Sequence, residues 1–326
     1  MMPARANAGN GALVNKPQHV YWRRRLAALG GLAALILAGA LLAGNGSGDE
    51  GDSGGSASAG QEPPAPPELP RGGRSILPEF RVVAYYGAPQ ARELGALGIG
   101  QPDAMARRLA REARHYRAEK RPELPAMELI AVIANADAGE DGMYRARQED
   151  TVIRRYLRAA RRHKALLLLD IQPGRSDFFT ETTRLEKFLK EPDVGLALDP
   201  EWRVSGSEVP GQVIGHVSSR EVNATSAWLA QLVAEHDLPE KLFVIHQFTD
   251  DMVDDTTVKL REGLEMVLNV DGFGGREIKA AKYRRFARDA PDFHHGFKLF
   301  YEEDTDLMSP KQVMRLRPKP ELIVYE

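Results

Sequence analysis

Asp199 and Glu201 are the residues best suited to chemistry. They follow the apolar run Val194–Leu198 with only Pro200 between them. Residues two apart on a strand point to the same face. A strand continuing through this step would present both carboxylates side by side. Two carboxyls that close do not both ionise freely, so one keeps its proton beside a charged partner. The pair suits proton donation to a glycosidic oxygen, with Glu201 the general acid and Asp199 its partner. The competing reading has Asp199 capping the next loop and Glu201 in solvent.

Asp170 and Gln172 repeat the spacing at the end of the apolar run 165–171. Asp170 is placed either to polarise Asp199 or to cap the turn at Pro173-Gly174. His246, before Gln247-Phe248, is a general base, a metal ligand or a core histidine satisfied by its neighbours. Asp271 precedes Gly272-Phe273-Gly274 and either positions a water or forms the turn. Tyr85, Tyr86, Trp202 and Tyr301 are candidate platforms for a sugar ring. Gln172, Gln247 and Lys298 are candidate polar contacts to substrate.

No cofactor and no metal ligand set is assigned. An H-x-H after the first strand and an H-E-x-x-H are both missing, and the adjacent His294 and His295 would point apart. The aspartates at 250, 251, 254 and 255 lack the EF-hand pattern and read as a solvated acidic loop. A metal-dependent phosphodiesterase-type hydrolase would have to use Asp170, Asp199, Glu201, His246 and Asp271.

Positioning these residues takes an alternation of strand and helix. β-rich runs fall at 81–86, 127–134, 165–171, 194–198, 213–217, 241–246, 265–270 and 296–301. Amphipathic or charged stretches separate them at 102–120, 150–164, 221–235, 256–263 and 277–288, and a short helix opens after Pro310. Ser218 or Ser219 is the cap of the third of these. Such an alternation over residues 78–326 predicts an α/β fold, a (β/α)8 TIM barrel, with the polar residues at strand C-termini. The rival is a doubly wound open sheet. It calls for a Gly-rich nucleotide turn after strand one, and Tyr85-Tyr86-Gly87-Ala88-Pro89 is not that turn.

The residues before the barrel read differently. Residues 1–25 are polar and end in Arg23-Arg24-Arg25, and residues 26–44 form an almost unbroken apolar run about long enough to span a bilayer. Arginines precede the run and Asp49, Glu50 and Asp52 follow it. The positive-inside rule therefore puts the N-terminus in the cytoplasm and the barrel outside. Ala38-Gly39-Ala40 fits a cleavage site, so the run is a retained single-pass anchor or a signal segment that releases the protein. Residues 45–77, rich in Gly, Ser and Pro, read as a disordered linker.

Composition narrows the chemistry. The chain has 326 residues and no cysteine, which removes disulfides, thiolate nucleophiles, iron–sulfur sites and a lipobox. Lys and Arg total 44 against 46 for Asp and Glu, so there is no electrostatic footprint for nucleic acid. The expected partners are a cell-envelope glycan or small carbohydrate, and a membrane through the N-terminal helix.

The Asp199-Pro200-Glu201 step resembles the D-x-E element of the family 18 chitinases and family 25 muramidases. Both are TIM barrels acting on N-acetylated glycans. The resemblance implies Glu201 as proton donor and a substrate acetamido group able to replace a protein nucleophile. Ala197 stands where the chitinase signature has a further Asp, and Tyr85 where the muramidase pattern has one on strand one. The whole domain is similar to a group of exported bacterial barrel proteins. That likeness is carried by Ala84-Tyr85-Tyr86-Gly87, by Asp170-Ile171-Gln172-Pro173-Gly174-Arg175-Ser176-Asp177 and by Ala197-Leu198-Asp199-Pro200-Glu201-Trp202. His246-Gln247-Phe248 and Gly296-Phe297-Lys298-Leu299-Phe300-Tyr301 extend it. It implies fold and export and supplies no activity. The functional expectation is an extracytoplasmic glycoside hydrolase; the alternatives are a non-catalytic glycan- or envelope-binding barrel and the metal-dependent hydrolase.

Overall fold

The computed structural model describes residues 65–253 and 257–326. The segments 1–25 and 26–44, and the linker as far as residue 64, lie outside the described residues. Among those described, no helix is long and apolar enough to cross a membrane.

The sheet has nine strands: β1 (Arg81–Gly87), β2 (Glu123–Ala134), β3 (Arg145–Arg147), β4 (Leu166–Ile171), β5 (Val194–Leu198), β6 (Lys241–Gln247), β7 (Leu264–Val270), β8 (His294–Leu299) and β9 (Leu322–Tyr325). All but β3 run parallel, each beside its successor, and β1 pairs with both β2 and β9. The ring is therefore a closed eight-stranded parallel barrel, the architecture of a TIM barrel. The short β3 hangs antiparallel on the end of β2.

Alternation along the strands divides the core in two. Val82, Ala84, Leu124, Ala126, Leu166, Leu168, Val244 and Val324 belong to one apolar cluster, which fills the barrel. Val83, Met127, Leu129, Leu167, Leu169, Phe243, Ile245 and Ile323 join a second cluster, under the helices. Both faces of the barrel strands are largely buried, which is why runs such as Leu166–Leu169 are apolar throughout. Gly195 lets the interior close: a Cβ there would lie 2.7 Å from Leu168 Cδ2 and 2.8 Å from the Leu242 carbonyl oxygen.

Helices α1 (Pro102–Ala113), α2 (Asp150–Arg162), α3 (Phe178–Thr183), α4 (Glu186–Leu189), α5 (Ser219–Glu235), α6 (Arg276–Asp289) and α7 (Pro310–Val313) occupy the connections. α1 turns Met105, Ala106, Leu109 and Ala113 inward, and α2 turns Ile153, Tyr156, Leu157 and Ala160, both at helical spacing. Ser218 caps α5 by accepting from the Glu221 N–H.

Four expectations are corrected. Residues 213–217 form no strand. Val213 and Val217 make only isolated bridges; Val217 is buried, but Val213 and Ile214 are exposed, and the segment pairs with no barrel strand. The remaining barrel strand is β9 instead, four buried residues that follow Pro320. The helix expected at 256–263 is absent: residues 257–263 carry no α-helix. Strand eight stops at Leu299, which leaves Tyr301 in the following turn. The body also reaches back before residue 78. Leu69, Ile76 and Leu77 are buried, and Arg71 donates to the Glu123 carbonyl at 2.6 Å.

Candidate active site at the barrel mouth

At the C-terminal ends of the strands the barrel interior changes from apolar to charged. Tyr86 from β1, Glu128 from β2, Asp170 from β4, His246 from β6, Asn269 from β7 and Lys298 from β8 are all buried there. Asp199, Asp271 and Glu326 follow directly on β5, β7 and β9 and are buried with them. The inward parity that places Val82 and Ala84 in the core places Tyr86 one step higher. Leu166 and Leu168 lead to Asp170 in the same way.

His246 is held from both sides. Its Nδ1 lies 2.9 Å from Asp271 Oδ2, and its Nε2 lies 2.9 Å from Glu128 Oε1 and 3.8 Å from Asp170 Oδ2. The Asn269 amide nitrogen is 3.2 Å from Nδ1. Gly296, beside Asn269, leaves the room for this amide: a Cβ would come within 2.5 Å of Asn269 Oδ1. Burial and Lys298 oppose a charge on the imidazole. The hydrogen bonds to Asp271 and Glu128 outweigh them and hold its pKa well above the ordinary value.

Lys298 Nζ sits 3.0 Å from Asp271 Oδ2, 2.8 Å from Glu326 Oε2 and 3.8 Å from the centre of the Tyr86 ring. Burial alone would raise the Asp271 carboxyl. Lys298 and His246 override it and hold the group far below the usual carboxylate range.

Asp170 is the opposite case. Burial first, then the neighbouring Asp199, push its carboxyl well above the usual range. The Tyr86 hydroxyl connects the two aspartates: it donates to Asp199 Oδ2 at 3.1 Å and lies 3.4 Å from Asp170 Oδ1. Gln172 Nε2 donates to the same hydroxyl at 2.8 Å, and Gln172 Oε1 accepts from the Ala134 N–H. The site thus joins carboxyls whose environments drive them in opposite directions, the usual basis for separate acid and base roles.

Asp170, Gln172, Asp199, His246, Asp271, Lys298 and Tyr86 are brought together as the sequence predicts. Glu201 departs from its expected geometry. β5 ends at Leu198, and Pro200–Trp202 form a 3-10 turn, so strand alternation no longer relates Glu201 to Asp199. Glu201 is buried in that turn. Trp202 is 1% exposed within the interior apolar cluster, where it closes the mouth instead of offering an open platform.

Tyr85 and Tyr301 lie in the outer layer. Their hydroxyls are 3.2 Å apart, Tyr301 stacks on Tyr325, and Arg108 covers both Tyr85 and Tyr301. Gln247 donates to the Thr249 carbonyl.

Glu128, Asn269 and Glu326 were not assigned to the site from sequence. Glu128 looks remote when strand two is started at residue 127. The strand starts at Glu123, which puts Glu128 in its middle and in register with Tyr86. A lone carboxylate inside an otherwise apolar strand was the available signal. Glu128, Asp170 and His246 each offer a ligand atom within 4.8 Å of the others, and these three residues could hold a metal ion. No protein-family model matches the chain, and no curated protein matches it.

Proposed function

We propose that the barrel is an extracytoplasmic glycoside hydrolase, tethered by its N-terminal segment and acting on an N-acetylated glycan of the cell envelope. One observation carries the reading: the Tyr86 hydroxyl lies within reach of both Asp170 and Asp199, at the C-terminal mouth where barrel enzymes hold their chemistry. Burial and the neighbouring Asp199 push the Asp170 carboxyl well above the usual range, so Asp170 holds a proton to give. That proton passes to the leaving oxygen as the glycosidic bond breaks. Water then bonds to the anomeric carbon, and the proton it gives up restores the pair. Asp199 and Asp170 take over the acid role first assigned to Glu201, with Gln172 fixing Tyr86 between them.

The cluster is covered, so substrate entry requires residues 199–217 to lift Trp202 from the mouth. Gly206 and Gly211, both at positive φ, give that segment its turns.

The test is reducing-end release from peptidoglycan and from chitin-type oligosaccharides by the full chain, beside Asp199→Asn. Release by the wild type that collapses in the folded variant supports the assignment. A folded wild type with no release from either substrate removes it and favours a binding barrel.

A further inference from the structure

We propose that Glu128, Asp170 and His246 form a binding site for one divalent cation of the zinc or manganese class. The three side chains come from β2, β4 and β6, and one ligand atom of each lies within 4.8 Å of the others. His246 Nε2 is 2.9 Å from Glu128 Oε1 and 3.8 Å from Asp170 Oδ2. Ligands around a tetrahedral cation with bonds of about 2.0–2.2 Å stand about 3.3–3.6 Å apart. The observed spacings bracket that range, so only small side-chain shifts complete the shell.

Two independent observations point to a cation. Glu128 Oε2 and Asp170 Oδ2 are both fully buried, and neither has a hydrogen-bond partner. Buried acceptors are almost always satisfied, and a metal satisfies carboxylate oxygens that nothing in the chain reaches. His246 is also oriented as a metal ligand. Asp271 engages Nδ1 and turns Nε2 toward the two carboxylates, the carboxylate–imidazole arrangement that supports a bound metal. Lys298 is taken up by Asp271 and Glu326, so it does not reach Glu128, and a cation that displaces the Nε2 proton of His246 would balance the Glu128 and Asp170 carboxylates. One nitrogen and two carboxylate ligands favour zinc or manganese over calcium, which takes six to eight oxygens.

Binding stands apart from the hydrolytic reading; only its consequence rests on that reading. A cation that takes Asp170 as a ligand displaces its proton and silences the acid.

The test is calorimetric titration of the chelator-stripped full chain with Zn2+ and with Mn2+, using Ca2+ as the contrast. One equivalent of Zn2+ or Mn2+ should bind. Affinity should fall at least about 100-fold in Glu128→Gln and in His246→Gln, and about 10–100-fold in Asp271→Asn. Zinc-edge X-ray absorption of the loaded wild type should show one imidazole among oxygen ligands, a readout that needs no variant to fold. Absence of stoichiometric binding overturns the site. So does binding that survives both ligand substitutions, or a shell without histidine.

Discussion

Asp271 links His246 to Lys298: its Oδ2 lies 2.9 Å from the imidazole Nδ1 and 3.0 Å from the ammonium. One carboxylate oxygen thus serves two cationic partners in a layer closed to solvent. Removing Lys298 takes a buried counter-charge from both Asp271 and Glu326, and breaking a buried pair this way costs about 3–5 kcal/mol. Lys298→Met should lower unfolding stability by about that amount in a urea titration. A change below about 1 kcal/mol would show that the pairing contributes little.

The catalytic assignment separates neighbours in sequence. Asp199→Asn and Asp170→Asn should each reduce glycan cleavage by about 10²–10⁴-fold, the usual worth of a positioned acid. Glu201→Gln should keep activity within about tenfold of wild type, because the 3-10 turn takes Glu201 off the strand alternation that would have set it beside Asp199. A collapse in Glu201→Gln with Asp199→Asn still active would return the proton donor to Glu201.

Metal and acid readings diverge under chelation. Treatment with a chelator should leave glycan release undiminished, and stoichiometric Zn2+ should suppress it. If the chelated protein loses turnover and regains it with Zn2+, the cation is the catalyst and the acid pair is not.

His294 provides a pH test remote from the mouth. Hydrogen bonds with Glu265 and Glu321 raise its pKa to about 9 against the opposing effect of burial. A folded-state pKa above the unfolded value of about 6.5 adds stability that is complete below that value and lost as pH rises through about 9. The gap in urea midpoint between wild type and His294→Gln should be constant near pH 6 and close by about pH 10. A gap that does not change over this range would sever the link to His294.

Much of the barrel was legible because its strands are apolar on both faces. Leu166–Ile171 and Val194–Leu198 announce themselves, and so do the polar residues that end them. β9 was not legible, since four apolar residues with no helix to follow lack the alternation that marks a unit. Val213 and Val217 offered β-branched residues where the chain only bridges. Within the site, the strand alternation expected to relate Asp199 to Glu201 ends at Leu198, and Pro200 opens a 3-10 turn. The Tyr86 link and Glu128 join residues far apart in sequence, and inter-strand register is not written in local spacing.

The pairing of Val82 with Leu322 joins the first barrel strand to the last. A chain made from its N-terminus therefore carries β1 as an open edge throughout synthesis, with a second open edge on the newest strand. Unpaired edges of this kind invite pairing with other chains. Contacts spanning nearly the whole domain also form slowly. Nascent copies crowded together are then at risk of joining edge to edge, and dilution or a holding chaperone should raise the yield of closed rings.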